Sequence, residues 1–325
     1  MMLRSFLSNQ PLVLIFLIPI IALFQLLNGY FHFHQTFQEI SLGLLGKTAL
    51  FNDWWTGIPA ALVIGLNALQ LNRLFNEHEF LDRNTYAPAL FYVVLMSFSF
   101  SFYQFDALLI VHFCWLQVIR ILFQMRSNED NRKQAFNAAF FAGIGVVVFP
   151  QSAILLLFLS FALWALKSFF LKEWVMLLIG AAFPIFNGLM FWWFSGHSIN
   201  LNVLKATNQP VQYESMLYYA SGLAIFFLFL LSIIGIRVRL IKSTVRFKKL
   251  NSAMLWILVG AVLLGASDLI FYQQLDWFNL IFIPLSFFFT FAFIHKFWKE
   301  VATWFFYATF LLAVVKFFLH SQWLL

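Results

Sequence analysis

The chain is short of charge and nearly free of cysteine. Asp, Glu, Lys and Arg together make up 10% of its 325 residues, against about 25% in ordinary soluble domains. So low a charge excludes a water-soluble globular enzyme. It equally excludes a disordered chain, which needs low hydrophobicity and high net charge. The single cysteine, Cys114, lies in an apolar run, cannot form an internal disulfide and carries no redox-compartment signal. Familiar catalytic motifs are missing too. There is no Walker A loop, no Rossmann glycine fingerprint and no HExxH zinc pair, and no GxSxG nucleophile elbow. No small-x-small cleavage site follows the first apolar run, which ends in Gln25-Leu26-Leu27-Asn28-Gly29-Tyr30. That run therefore reads as an uncleaved first span.

What is present is apolar: 62% of residues are hydrophobic, 46 of them phenylalanine, and the mean hydropathy is +0.85. A membrane span takes about 20 apolar residues. Eleven such runs can be placed, near 11–27, 56–74, 85–102, 106–123, 135–149, 151–170, 174–195, 216–236, 252–272, 278–295 and 301–319. Pro150 separates the short fifth run from the sixth, and the two form either a tight hairpin or a partly re-entrant pair. The expected fold is a single integral-membrane domain over 1–325, an all-α polytopic bundle with about eleven spans. Its largest outer loops cover 30–55 and 196–215, and the apolar spacing from Ile40 to Leu50 suggests a helix lying in the membrane interface.

The formal net charge of +7 must be read loop by loop. With the N-terminus in the cytoplasm, 17 of the 20 basic residues fall on the inner side, and only Lys47, Lys205 and Lys316 lie outside. The positive balance thus encodes topology and contact with anionic lipid, not nucleic acid. Arg120, late in the fourth span, is placed to snorkel to the inner surface.

The thirteen acids divide unevenly. Seven lie in cytoplasmic loops beside basic residues; Glu39, Asp53, Asp106, Glu214, Asp268 and Asp276 lie on the outer side. Outer carboxylates there could bind a metal, act as acid and base, or face water. Asp53 and Asp106 could each cap a helix through backbone N–H groups. Asp268 lies within the ninth span, where a carboxylate is a functional candidate by default, although one turn from the outer end it could also reach water. The loop 196–215 carries His197, Asn200, Tyr213 and Glu214 and could line or cover a site. His32-x-His34 is a weak metal pattern, and the other histidines are scattered.

Two resemblances rest on particular segments. The runs Arg132-Lys-Gln-Ala-Phe-Asn-Ala-Ala-Phe-Phe-Ala-Gly-Ile-Gly145, Phe149-Pro-Gln-Ser152 and Lys172-Glu-Trp-Val-Met-Leu-Leu-Ile-Gly-Ala-Ala-Phe-Pro184 resemble a family of uncharacterised multi-pass bacterial inner-membrane proteins, domain of unknown function 6427. That resemblance covers most of the chain and implies a location in the bacterial cytoplasmic membrane, with no established activity. At the level of layout, the chain also resembles the GT-C superfamily of glycosyltransferases that use polyprenyl-phosphate sugars. A long first outer loop, a short second loop with Asp106 at the start of the fourth span, and the glycine-bearing Ala142-Gly-Ile-Gly145 carry this resemblance. It implies Asp53 or Glu39 as base for an acceptor hydroxyl, and Asp106 as ligand to a divalent metal or as binder of the lipid phosphate. The usual acid pair of the first loop, the frequent hairpin lysine and a C-terminal soluble domain are missing.

Three expectations follow. The first is a GT-C-like protein that acts on or binds a lipid-linked glycan at the outer face, active or inactive. The second is a non-enzymatic subunit or assembly factor working with other envelope proteins. The third is a transporter or lipid flippase, in which Asp268, Arg120 or other intramembrane polar groups line a central path.

Overall fold

A computed structural model describes residues 2–31, 39–49, 57–126, 130–167, 171–195, 215–272, 276–295 and 297–321. Twelve α-helices account for most of these: α1 (Met2–Phe6), α2 (Leu17–Phe31), α3 (Gly57–Glu77), α4 (Ala87–Met96), α5 (Ala107–Gln124), α6 (Arg132–Val148), α7 (Ile154–Leu166), α8 (Leu171–Phe194), α9 (Ser215–Ile241), α10 (Val245–Tyr272), α11 (Phe282–Phe289) and α12 (Lys299–Ser321). Seven helical stretches are long and apolar enough to cross a membrane: Pro11–Phe31, Gly57–Glu77, Ala107–Gln124, Leu171–Phe194, Tyr219–Ile241, Val245–Phe271 and Lys299–Phe318. By that measure the chain is a helical, multi-pass membrane protein.

Each of the eleven apolar runs contains an α-helix, although those in the runs 85–102 and 278–295 are only ten and eight residues long. The fifth and sixth form a tight hairpin: α6 ends at Val148, a short 3-10 turn spans Pro150–Ala153, and α7 follows. Pro150 enforces this break because a residue before proline is pushed out of the helical region.

The two ends of the bundle can be told apart by hydrogen bonds between distant segments. At one end Phe6 O accepts from Tyr86 N at 2.8 Å and from Thr85 Oγ1 at 3.2 Å. Arg239 reaches Asp82 at 2.6 Å, and Lys167 pairs with Glu173 at 2.6 Å. At the other end Gln25 Nε2 donates to Phe102 O at 2.6 Å and to Gly57 O at 3.4 Å, and the Phe149 ring meets Trp277 at 5.3 Å. The segment from Tyr86 to Phe102 therefore runs from one end of the bundle to the other, although α4 is only ten residues long. The same contacts make α6 and α7 each traverse it. Every pair joined here consists of segments that the basic-residue count puts on one side.

The short helices occupy the middle. All ten residues of α4 are buried, and α11, flanked by 3-10 turns at Asp276–Ile281 and Thr290–Phe293, packs against it. A helix apolar on every side belongs in a core and not at a surface. The long helices around them keep large apolar side chains outward, as in Leu62 and Leu66 of α3 and Phe183 and Phe186 of α8. The helices α6 and α8 approach closely through small residues: a Cβ at Gly143 would meet Ala181 O at 2.7 Å, and one at Gly180 would meet the Phe136 carbonyl. Small residues are how membrane helices bring their backbones together.

One expectation fails here. Residues 40–49 do not form an interfacial helix. Instead β1 (Glu39–Ser41) and β2 (Lys47–Ala49) pair antiparallel, with Glu39 opposite Ala49, Ile40 opposite Thr48 and Ser41 opposite Lys47. The backbone explains the change. Gly43 and Gly46 adopt φ of +59° and +87°, a region that only glycine enters freely, and a single turn at Gly43–Leu45 reverses the chain. Gly43 also lies against Val147 O, Val148 O and Pro150, so the hairpin sits on the C-terminal end of α6.

Candidate functional site

The polar groups that the apolar runs carry inward converge between α3, α4, α5 and the turn before α11. At the Gly57 end, α4 gives way to an irregular stretch, Ser97 to Asp106. Irregular backbone at membrane depth is tolerated where protein buries it, and Ser97, Ser99, Ser101, Phe102, Tyr103 and Gln104 are all buried. Side chains hold it in place. Ser99 caps the 3-10 turn Phe100–Phe102 by accepting from Ser101 N. The Tyr103 hydroxyl donates to Ser97 O at 2.7 Å. Lys316 of α12 donates to Ser97 O and to the Tyr103 hydroxyl at 2.9 Å, and its ammonium lies 4.8–5.5 Å from the ring centres of Phe98, Tyr103 and Phe317. Such cation–ring contacts help to hold a buried charge.

Asp106 closes this stretch and opens α5. Its Oδ1 accepts from Leu109 N at 2.8 Å, the geometry of an N-cap. Its Oδ2 accepts from Ser101 Oγ at 2.6 Å. From there a hydrogen-bonded chain descends into the bundle. Asn279 Nδ2 donates to Ser101 Oγ and to Ser99 Oγ, both at 3.0 Å. Asn279 Oδ1 meets His112 Nε2 at 3.4 Å. His112 Nδ1 meets the Tyr92 hydroxyl at 3.0 Å, and Asn67 Nδ2 reaches the same hydroxyl at 3.3 Å. Asn67, Tyr92, His112 and Asn279 are buried. Six residues from four segments thus join the loop at Asp106 to the middle of α3.

The half of the same core toward Phe6 is aromatic. Phe80 lies 5.4 Å from Phe75, 5.5 Å from Phe123, 5.3 Å from Phe247 and 4.4 Å from Phe287, between ring centres. Phe287 and Phe291 complete the cluster around Phe75. Polar groups therefore line the core toward the Asp106 end, and packed rings fill it toward the Phe6 end.

Of the other expected site residues, those described lie outside this network. Asp53, His197 and Glu214 lie outside the described residues. Glu39 pairs through its backbone in β1. Asp268 is buried and does not reach water; its Oδ2 accepts from Trp277 N at 3.1 Å, fastening the turn that carries Asn279. Arg120 is exposed on α5, as snorkelling requires. Among the described residues no group of three or more His, Cys, Asp or Glu could hold a metal, and both Asp106 oxygens already accept hydrogen bonds. Sequence reading missed Asn67, Tyr92, His112, Asn279 and Lys316. Their common signal is a polar side chain inside an apolar run, which is costly unless partnered.

No family model, curated protein or solved structure matches the chain.

Proposed function

We propose that the chain is an eleven-span, GT-C-like protein of the bacterial inner membrane that holds a lipid-linked glycan at its outer face. One observation carries this reading: the bundle core is polar and irregular at the Asp106 end and closed by phenylalanine at the other. In this reading a polar head enters from the outer side, where the polar groups are, and the packed rings block its passage beyond them. The aromatic closure weighs against a transporter or flippase, which needs a path to both faces. The traversal of the α4 segment, α6 and α7, and the course of the α11 segment from Trp277 beside Phe149 to Phe291 beside Phe75 and Phe247, support eleven crossings.

In this reading Asp106 is a positioning residue. Its carboxylate ties Ser101 to the first turn of α5, so it shapes the mouth of the site and does not act as base or metal ligand. An acceptor hydroxyl would then look to Asp53 or Glu39 in the first outer loop. The reading is tested by native mass spectrometry of the protein released from nanodiscs containing a polyprenyl-phosphate-linked sugar. Retention of that lipid above a phosphatidylethanolamine control is expected, weakened by Asp106→Ala. Equal retention of both lipids would sink the proposal. Glycosyl transfer that is abolished by Asp53→Asn would mark the active form, and binding without transfer the inactive one.

A further inference from the structure

We propose that Asn67, at the middle of the bundle, is the binding site for a neutral hydroxyl group, supplied by an ordered water or by a ligand entering from the Asp106 end. The inference does not rest on the glycan reading; it follows from the sense of the hydrogen bonds. Asn279 turns its Oδ1 to His112, and an amide oxygen only accepts, so His112 carries its proton on Nε2. His112 Nδ1 is then an acceptor, and the Tyr92 hydroxyl donates to it. The Tyr92 oxygen accepts in turn from Asn67 Nδ2. On the other side Asn279 Nδ2 donates to Ser101, and Ser101 donates to Asp106. Every link donates toward the carboxylate, so the chain ends on a charge and each bond polarises the next.

The chain begins at the Asn67 amide, whose Nδ2 donates to Tyr92. Its Oδ1 is an acceptor left over at that end: it is buried, and no donor among the described residues reaches it. Buried polar atoms without partners are rare enough that each calls for an explanation, an unseen water or ligand among them. The position strengthens the case. Asn67 lies ten residues after Gly57 in α3, about 15 Å along the helix at 1.5 Å per residue, halfway through a hydrocarbon core about 30 Å thick. The chemistry of the occupant is constrained. It must donate, which excludes a carboxylate or an unprotonated phosphate. It meets a neutral amide in the buried middle of the bundle, so an isolated cation would be strongly disfavoured at this depth. A neutral hydroxyl satisfies both conditions.

The test is a cryo-EM structure of the full chain, resolved well enough to show waters, in phosphatidylethanolamine–phosphatidylglycerol nanodiscs with and without a polyprenyl-phosphate-linked sugar. An oxygen peak about 2.7–3.2 Å from Asn67 Oδ1 is expected. An isolated peak in both samples supports the site with water as occupant and gives the glycan reading no help. A peak continuous with the added lipid supports the site and joins it to that reading. Carbon-only surroundings of Oδ1 in both samples would overturn the proposal. Two further measurements stand apart from density. The ¹⁵N spectrum of His112 should show the Nε2–H tautomer, and Nδ1–H would reverse the chain and overturn it. Asn67→Leu also removes the Nδ2 bond to Tyr92, so a lower melting temperature is expected in any case; an unchanged or raised value would mean that an empty orphan was removed and would overturn the proposal.

Discussion

At the scale of single residues, Asp106 can be argued furthest. Its position just before an apolar run, in Phe105-Asp106-Ala107, already marked it as a cap, because a helix start leaves backbone donors that a short carboxylate can accept. What the linear sequence could not show is the second bond, from Ser101, since that depends on how α4 breaks. Asp106→Ala should cost about 1 kcal/mol for the cap and a further 1 kcal/mol or so for the Ser101 bond, read as a lower melting temperature in detergent. Asp106→Asn, an equally good cap, should recover most of the loss. His78 offers a residue-scale test by pH. It follows α3, meets the Phe123 ring at 5.1 Å, and its pKa is lowered from 6.5 by burial first and by Arg246 second. A base with a lowered pKa binds fewer protons folded than unfolded, so stability rises with pH in that window. The contribution is full above about 6.5 and is lost as pH falls through the folded value. Melting temperature should drop between pH 7 and pH 5.5 in the wild type, and His78→Gln should flatten that part of the curve. Asp130 moves in a different range: hydrogen bonds from Arg132 hold its pKa down to about 2, so it stays ionised throughout the same titration.

At the scale of elements, the long helices were legible because length and apolarity suffice to mark them, and loop charge gave their order. The short elements were less so. The run 85–102 was expected to be a span, yet its helix stops at Met96 and the rest of the run is irregular. Hydropathy does not register whether a segment faces lipid or protein, and only a segment sheltered by protein can abandon its helix at that depth. Similarly, Ile40–Leu50 has apolar spacing that fits a helix, but two glycines held at positive φ decide for a hairpin. Two substitutions probe how elements are joined. Gly180→Leu drives a side chain into the Phe136 backbone, which a flexible neighbour cannot relieve. It should separate α6 from α8 at a cost of about 3 kcal/mol, seen as loss of the monodisperse peak in fluorescence-detected gel filtration. Glu173 binds Lys167 at 2.6 Å and accepts from Asn131 N at 3.2 Å, so it ties α6, α7 and α8 together at the Phe6 end. Glu173→Ala breaks a buried ion pair by removing one partner and should cost about 3–5 kcal/mol, whereas Glu173→Asp should lose less.

At the scale of the whole molecule, the phenylalanine excess acquires a place. The sequence offered 46 of these residues and no reason for them; in the structure a connected set around Phe80 closes one half of the core. Each ring pair contributes about 0.5–1.5 kcal/mol beyond its burial, so the cluster stabilises that half of the core. Charge, by contrast, was informative from the outset, because so little of it is present that its distribution had to follow topology. That topology can now be tested decisively. If all eleven helical segments cross, Asn9 lies inside, Ser195 outside and Lys242 inside. If only the seven long stretches cross, with the same inner N-terminus, Ser195 moves inside and Lys242 outside, because the crossings of α4, α6, α7 and α11 are removed. All three positions are exposed, and the single native thiol, Cys114, is buried, so background labelling should be low. Single-cysteine variants at 9, 195 and 242 in intact right-side-out vesicles should therefore leave only Ser195→Cys reactive toward an impermeant maleimide. Labelling of Lys242→Cys with Ser195→Cys protected would establish seven crossings and withdraw the outer placement of Asp106.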